Sequence, residues 1–189
     1  SVAKIVRGWV DENDARFALA ATEVLVVLGD ADAADALKKV LAKEAVRSQA
    51  VKLAYELSSP QLVEPLVKLL PELEGVDQIR ALMALGRAGA GTELAAFLND
   101  KKLGPAAISA LALSQSEQAK EAIEKGLGAA TATRRAFARA GVMRGIVLRE
   151  RVAGLGDVLA ALSASTDTAD VEIGALGRVA LGFTSLEQL

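Results

Sequence analysis

The sequence predicts an all-α fold, an α-solenoid (α-α superhelix) of stacked antiparallel helix pairs, and three observations predict it. Apolar residues recur at helical spacing through most of the 189 residues. Glycine, proline and short polar stretches cut that periodicity into segments of helix length. The segments also recur as pairs: Arg16 and Arg47 stand 31 residues apart, as do Leu19 and Ala50, while Leu37, Val40 and Leu41 precede Leu66, Leu69 and Leu70 by 29. A pair that cannot bury its apolar face alone must lie against the next, which is the logic of a helical repeat array.

Each element is set by its local pattern. Val2 to Val10 reads as a short helix with Ile5, Val6, Trp9 and Val10 on one side, and Trp9, the only tryptophan, is expected to cover the open end of the first repeat. Asp11-Glu12-Asn13-Asp14 supplies acids and an N-cap for a helix reaching about Leu28, where Gly29 ends it. Asp32 is expected to cap the next helix, which carries Leu37, Val40 and Leu41. Val46, Ala50, Leu53, Ala54 and Leu57 line one face of the succeeding helix, and Ser58-Ser59-Pro60 opens its mate, with Leu62, Leu66, Leu69, Leu70 and Leu73 inward and Pro71 as a stop. A third pair spans about Val76 to Leu98, broken at Gly86, Gly89 and Gly91. After the polar link Asn99 to Gly104, Pro105 fits the first turn of a fourth, shorter pair, whose faces are Ala107, Ala110, Leu111 and Leu113, then Ala119, Ala122, Ile123 and Leu127.

Beyond Leu127 the pattern loosens. Ala129 to Ala140 reads as the first helix of a fifth pair, N-capped by Thr131 or Thr133; Gly141 and Gly145 leave the next stretch without a clear pattern, and the mate settles over Leu155 to Leu162. Ser163 to Asp170 reads as a polar loop, and a last helix runs from Val171 to Leu181, interrupted by Gly174 and Gly177. One domain over 1–189 is expected, with clear repeats over about 14–127 and degenerate ones over about 128–189, five to six pairs in all. The chain closes at Leu189 with no polar capping helix, so a longer chain or a partner is expected to continue the stack, and self-association through solenoid ends is a further expectation.

Composition narrows the function. Hydrophobic residues make up 52% and aromatics 3%, so the core must be made of Ala, Leu and Val packed closely. With no cysteine and no histidine, disulfides, thiolate metal sites and serine–histidine chemistry are excluded. A net charge of −2 argues for neither nucleic acid nor a membrane surface as partner, and no apolar run has the roughly 18 residues of a membrane span. Ser1-Val2-Ala3-Lys4 leads into an amphipathic segment without the apolar stretch of a secretory leader, giving the expectation of a cytoplasmic protein.

Ile79-Arg80-Ala81-Leu82-Met83-Ala84-Leu85-Gly86-Arg87 and Gln61-Leu62-Val63-Glu64-Pro65-Leu66-Val67-Lys68-Leu69-Leu70 resemble the two helices of a HEAT-like repeat, of the short type found in phycobilin-lyase relatives. The first matches the Arg-x-x-Ala-x-x-Ala-Leu-Gly pattern in part, with Gln78 where Arg16 and Arg47 stand in earlier repeats. The resemblance covers Asp14 to Leu127. It implies a curved right-handed stack of the HEAT or armadillo kind whose second helices line a concave binding surface, and it carries over no catalytic residue. Some family members act as chromophore lyases or on nucleic acid, and these are the alternative functions it offers.

Arg134, Arg135, Arg139, Arg144, Arg149 and Arg151 form the strongest chemical feature, an arginine cluster in a stretch without lysine. A rigid guanidinium fork favours planar anions, and Arg135 and Arg139, four apart, can share a helix face. Pairing with the acids downstream, Asp157, Asp167, Asp170, Glu172 and Glu187, is the competing structural use. An acidic protein surface is the expected partner, since a nucleic-acid face would interleave aromatics and Phe137 is the only ring nearby. Asp30, Asp32 and Asp35 lack the glycine and downstream Glu of a calcium loop. Gly86-x-x-Gly89-x-Gly91 comes after a helix and so is no phosphate cradle. Phe17, Tyr55, Phe97, Phe137 and Phe183, scattered singly, are expected to fill cores. The function expected is therefore a non-catalytic protein-binding scaffold or adaptor without cofactor or metal, presenting a groove able to bury about 800 Å², with the C-terminal arginines selecting an anionic partner.

Overall fold

A computed structural model describes residues 2–183. The expectations placed on Glu187 and Leu189 lie outside the described residues. Among the latter the fold is all-helical, with no strand: α1 (Val2–Trp9), α2 (Ala15–Val27), α3 (Ala33–Leu41), α4 (Arg47–Leu57), α5 (Val63–Leu69), α6 (Gly75–Arg87), α7 (Gly91–Ala95), α8 (Gly104–Leu111), α9 (Glu117–Gly126), α10 (Thr131–Val147), α11 (Leu155–Ser163) and α12 (Thr168–Ala180). The chain forms two compact units that divide between Ala88 and Gly89, at the turn between the two helices of the third expected pair.

In the first unit, Asp14 caps α2 as expected, its Oδ1 accepting from the N–H groups of Arg16 (2.8 Å) and Phe17 (3.1 Å), and Gly29 takes the left-handed conformation that closes the helix. Asp32 does not behave as expected. It precedes α3 but makes no side-chain cap, because its carboxylate is drawn 3.0 Å from Arg7 Nε, and Arg7 also forks onto Asp30. The core is aliphatic: Leu25, Leu37, Leu62, Leu66, Leu70, Leu82 and Leu85 are fully buried. First helices of successive pairs run parallel and in step, since Ser48 of α4 donates to Asp77 of α6 (3.0 Å) and, further along both, Arg87 of α6 lies 4.6 Å over the Tyr55 ring of α4. The repeat position held by Arg47 and then Gln78 has a constant use. Arg47 pairs with Glu72 (3.1 Å) and Gln78 Nε2 donates to the Leu70 carbonyl (3.1 Å), so both tie down the 3-10 turn Leu70–Glu72 that ends α5.

In the second unit the first helices are parallel as well. Arg135, Val142 and Gly145 of α10 face Asp170, Gly177 and Leu181 respectively, a steady rise along both α10 and α12. Here Gly174 and Gly177 are not the interruptions that the sequence leads one to expect, and Gly141 and Gly145, in the stretch without a clear pattern, lie inside a helix. α10 continues through Gly141 and Gly145 to Val147, and α12 through Gly174 and Gly177, because each glycine is a point of close helix approach. A Cβ at Gly145 would fall 2.6 Å from Leu181, and one at Gly174 would fall 2.6 Å from the Leu159 carbonyl oxygen. At Gly126 the missing side chain is replaced by the Phe137 ring, which lies against the glycine backbone. Neither Thr131 nor Thr133 caps α10, whose N-cap residue is Ala130, and the polar stretch Ser163 to Asp170 already includes the first turn of α12, capped by Asp167 onto the N–H of Ala169 (2.9 Å).

Candidate functional site

The six arginines expected to form a patch are not brought together as one. Arg144 is 1% exposed, and its guanidinium is consumed internally. Nη1 donates to the carbonyls of Leu111 (3.3 Å) and Ser114, Nη2 to that of Ser116 (3.3 Å), and Nε to Glu150 (2.9 Å). These carbonyls belong to the end of α8 and the turn after it, so the arginine does for α8 what Gln78 does for α5. Arg135 is spent on α12, bonding Asp170 and Asp167 (2.6 Å). The bonds from Asp170, then Asp167, raise the Arg135 pKa, and the same guanidinium, followed by the Ala169 N–H, holds Asp167 below the usual carboxylate range. Arg134 Nε donates to the Ala129 carbonyl (3.1 Å) at the start of its own helix. Arg139, Arg149 and Arg151 are exposed and make no ion pair among the described residues.

The acids Asp30, Asp32 and Asp35 serve Arg7 and Lys38, and among the described residues no group of acids is arranged to hold a metal ion. Among the same residues no helix is long and apolar enough to cross a membrane. Trp9 packs against Phe17 in a tilted pair with ring centroids 5.5 Å apart, and both stay partly open to solvent. Phe17 and Phe183 therefore depart from the expectation of core filling, since each leaves about half its surface exposed, whereas Phe137 meets it.

No protein-family model and no curated protein matches this chain.

What the structure adds is a segregation of exposed apolar side chains. Phe17, Val24 and Val27 project from α2, Val76 and Ile79 from α6, Met143, Ile146 and Val147 from α10, and Leu176 from α12. Trp9, Ile5 and Val2 do so from the terminal helix α1. No large apolar side chain is exposed on the second helices α3, α5, α7, α9 and α11; their outward positions carry Asp35, Lys39, Glu64, Lys68, Glu121 and Lys125 instead. Within each unit taken by itself, apolar surface left open on the first helices is a candidate docking face.

Each unit has a cleft between its own first helices. Between α4 and α6, about 330 Å³ is enclosed by Tyr55, Ile79 and Met83, with Lys52, Glu56 and Arg80 around them. Between α10 and α12, about 370 Å³ is lined by Val142, Met143, Ile173, Leu176, Gly177 and Ala180, with Arg139 and Glu172 at its edge. The chain's two methionines, adaptable side chains favoured on docking surfaces, stand one in each cleft. Sequence reasoning assigns Ile79 and Met83 to a repeat motif only. The available signal is that α6 has apolar residues outside the stripe of Gln78, Ala81, Ala84 and Leu85, more than one buried face can use.

Proposed function

We propose that this chain is a non-catalytic protein-interaction module, that each unit is a short α-solenoid stack of HEAT-like helix pairs, and that its partner docks on the outward face of the first helices. The parallel, in-step packing of α4 with α6 and of α10 with α12 supports the stack. The observation that carries the function is that, among the described residues, large apolar side chains stand exposed on first helices and none does so on a second helix. This puts the docking face on the opposite layer from the second-helix surface that the HEAT-like resemblance implies.

The α4–α6 cleft is the primary site in this reading. Its rim is mixed, with Glu56 beside Lys52 and Arg80, but Lys52 makes no ion pair among the described residues, and Arg87 is held over Tyr55 with its edge free to meet a carboxylate. An amphipathic segment with Leu or Phe anchors flanked by Asp or Glu fits that chemistry. Arg149 and Arg151, equally free of ion pairs among the described residues, add to the preference for an anionic protein. Arg7, Asp30, Glu64, Lys120, Arg135 and Asp167 are shifted by ion-pair hydrogen bonds and Asp100 by the N–H groups of Leu103 and Lys102, contacts that hold the fold.

A photo-crosslinking amino acid placed at Ile79 and, separately, at Lys39 and Glu121 on second helices tests the assignment in cells. Adducts from position 79 that weaken when Lys52 and Arg87 are both changed to Glu are expected. Adducts confined to 39 and 121 would move the docking face to the other layer and overturn the reading.

A further inference from the structure

The α10–α12 cleft carries a second, independent inference, because its two walls complement each other. On α10, Arg139, Met143 and Val147 come at i, i+4 and i+8 and project from one face; on α12, Glu172, Leu176 and Ala180 do the same. The helices are parallel and in step, so the charged residue stands at the same end of each row and the apolar residues succeed it in the same direction. The two charges are opposite in sign, and neither Arg139 nor Glu172 makes an ion pair among the described residues. Met143, Val147 and Leu176 are 46%, 49% and 64% exposed.

We infer that this face is a homodimer interface with its two-fold axis running along the cleft. An isologous contact requires a patch to be complementary to itself, and this arrangement meets that requirement about one axis only. Rotation about the cleft direction sets the α12 row of one copy over the α10 row of the other. Arg139 then meets the partner's Glu172, Met143 meets the partner's Leu176, and Val147 meets the partner's Ala180, each contact occurring twice. A two-fold axis across the cleft would instead lay each row antiparallel on its own copy, setting Arg139 against the partner's Val147 and Glu172 against the partner's Ala180. A heterologous helix lying in the cleft would satisfy one row of charge at a time, whereas a second copy satisfies both. The assignment is separate from the α4–α6 docking site, and either can stand without the other.

A charge-swap experiment on the full chain decides it, read by analytical ultracentrifugation with circular dichroism to confirm folding. The wild-type chain is expected to dimerise reversibly, and Arg139→Glu or Glu172→Arg alone to weaken dimerisation about tenfold or more by placing like charges opposite each other twice. An equimolar mixture of the two single variants is expected to recover a heterodimer, since every 139–172 contact across it is again opposite in sign, and the double variant to recover the homodimer. A wild-type chain that stays monomeric at every concentration, a dimer indifferent to both single changes, or single variants that fail to recombine on mixing would each overturn the inference.

Discussion

Arg144 donates from Nη1 to the backbone carbonyl of Ser114, 30 residues earlier, and this bond closes the turn that ends α8. With the carbonyls of Leu111 and Ser116 also on the same guanidinium, one buried side chain from α10 satisfies the acceptors that the end of a helix leaves open. Glu150 balances its charge at 2.6 Å.

Replacing Arg144 should therefore be the most damaging change in the arginine cluster. Arg144→Met is expected to lower stability by about 3 kcal/mol by orphaning those carbonyls and leaving Glu150 without its counter-charge, and Arg144→Lys to fall between, since an ammonium cannot reproduce the fork. Arg149→Met should be close to neutral. Denaturant unfolding of the three variants checks this; a lysine variant as stable as the parent would remove the fork geometry from the account.

Gly174 tests the close approach of α11 and α12. Gly174→Ala puts a methyl against the Leu159 carbonyl and the Ser163 amide, backbone atoms that cannot swing aside, and should destabilise by about 3 kcal/mol or more. Gly8→Ala, in α1 with open space around the would-be Cβ, should instead add up to about 1 kcal/mol. Thermal melts of the two variants should shift in opposite directions.

The two aspartates that precede α2 and α3 should differ when removed. Asp14→Ala deletes two hydrogen bonds to the first turn of α2 and is expected to cost about 1 kcal/mol. Asp32→Ala deletes no cap, only an exposed pair with Arg7, and should stay within about 0.5 kcal/mol of the parent. Equal losses in denaturant unfolding would show that Asp32 does cap α3 in solution.

Acid should loosen α1 before it unfolds the rest of the first unit. The Asp30 pKa is lowered, first by the hydrogen bond from Arg7 and then by the Asp32 N–H. Its contribution is thus complete above the ordinary aspartate value of about 3.9 and is lost as pH falls from there through the lowered value. Trp9, two residues past Arg7, reports the change: its emission should shift in that acid window in the parent, whereas Asp30→Asn should show the shifted emission already at neutral pH. An Asn variant with the parent's spectrum and titration would mean that the Arg7 clamp does not hold α1.

How much of this is legible in the sequence depends on what each residue answers to. Helices in the first unit can be placed almost to the residue, because Asp14, Gly29 and Pro60 act locally on the backbone and the leucine spacing reports a single buried face. In the second unit the same reasoning misplaces the boundaries of α10 and α12. A glycine that breaks a helix and a glycine that lets another helix approach are identical in sequence; Gly145 and Gly174 are told apart only by Leu181 and Leu159, distant neighbours that no local pattern names. The arginine cluster divides for a related reason. Composition identifies a concentration of guanidinium, but whether a given one faces solvent depends on which carbonyls and carboxylates the fold delivers to it, and the turn after α8 delivers Ser114 to Arg144 alone.

The seat of Phe137 on Gly126 also constrains how this protein can change over generations. The ring occupies the volume that any side chain at position 126 would need, so the two positions cannot be altered in arbitrary order: a smaller residue has to arrive at 137 before anything larger than hydrogen is admitted at 126. Lineages that acquired the changes in the reverse order would have passed through an intermediate with a disrupted α9–α10 junction, and surviving variants should carry either the large residue at 137 with glycine at 126 or a matched exchange of the two.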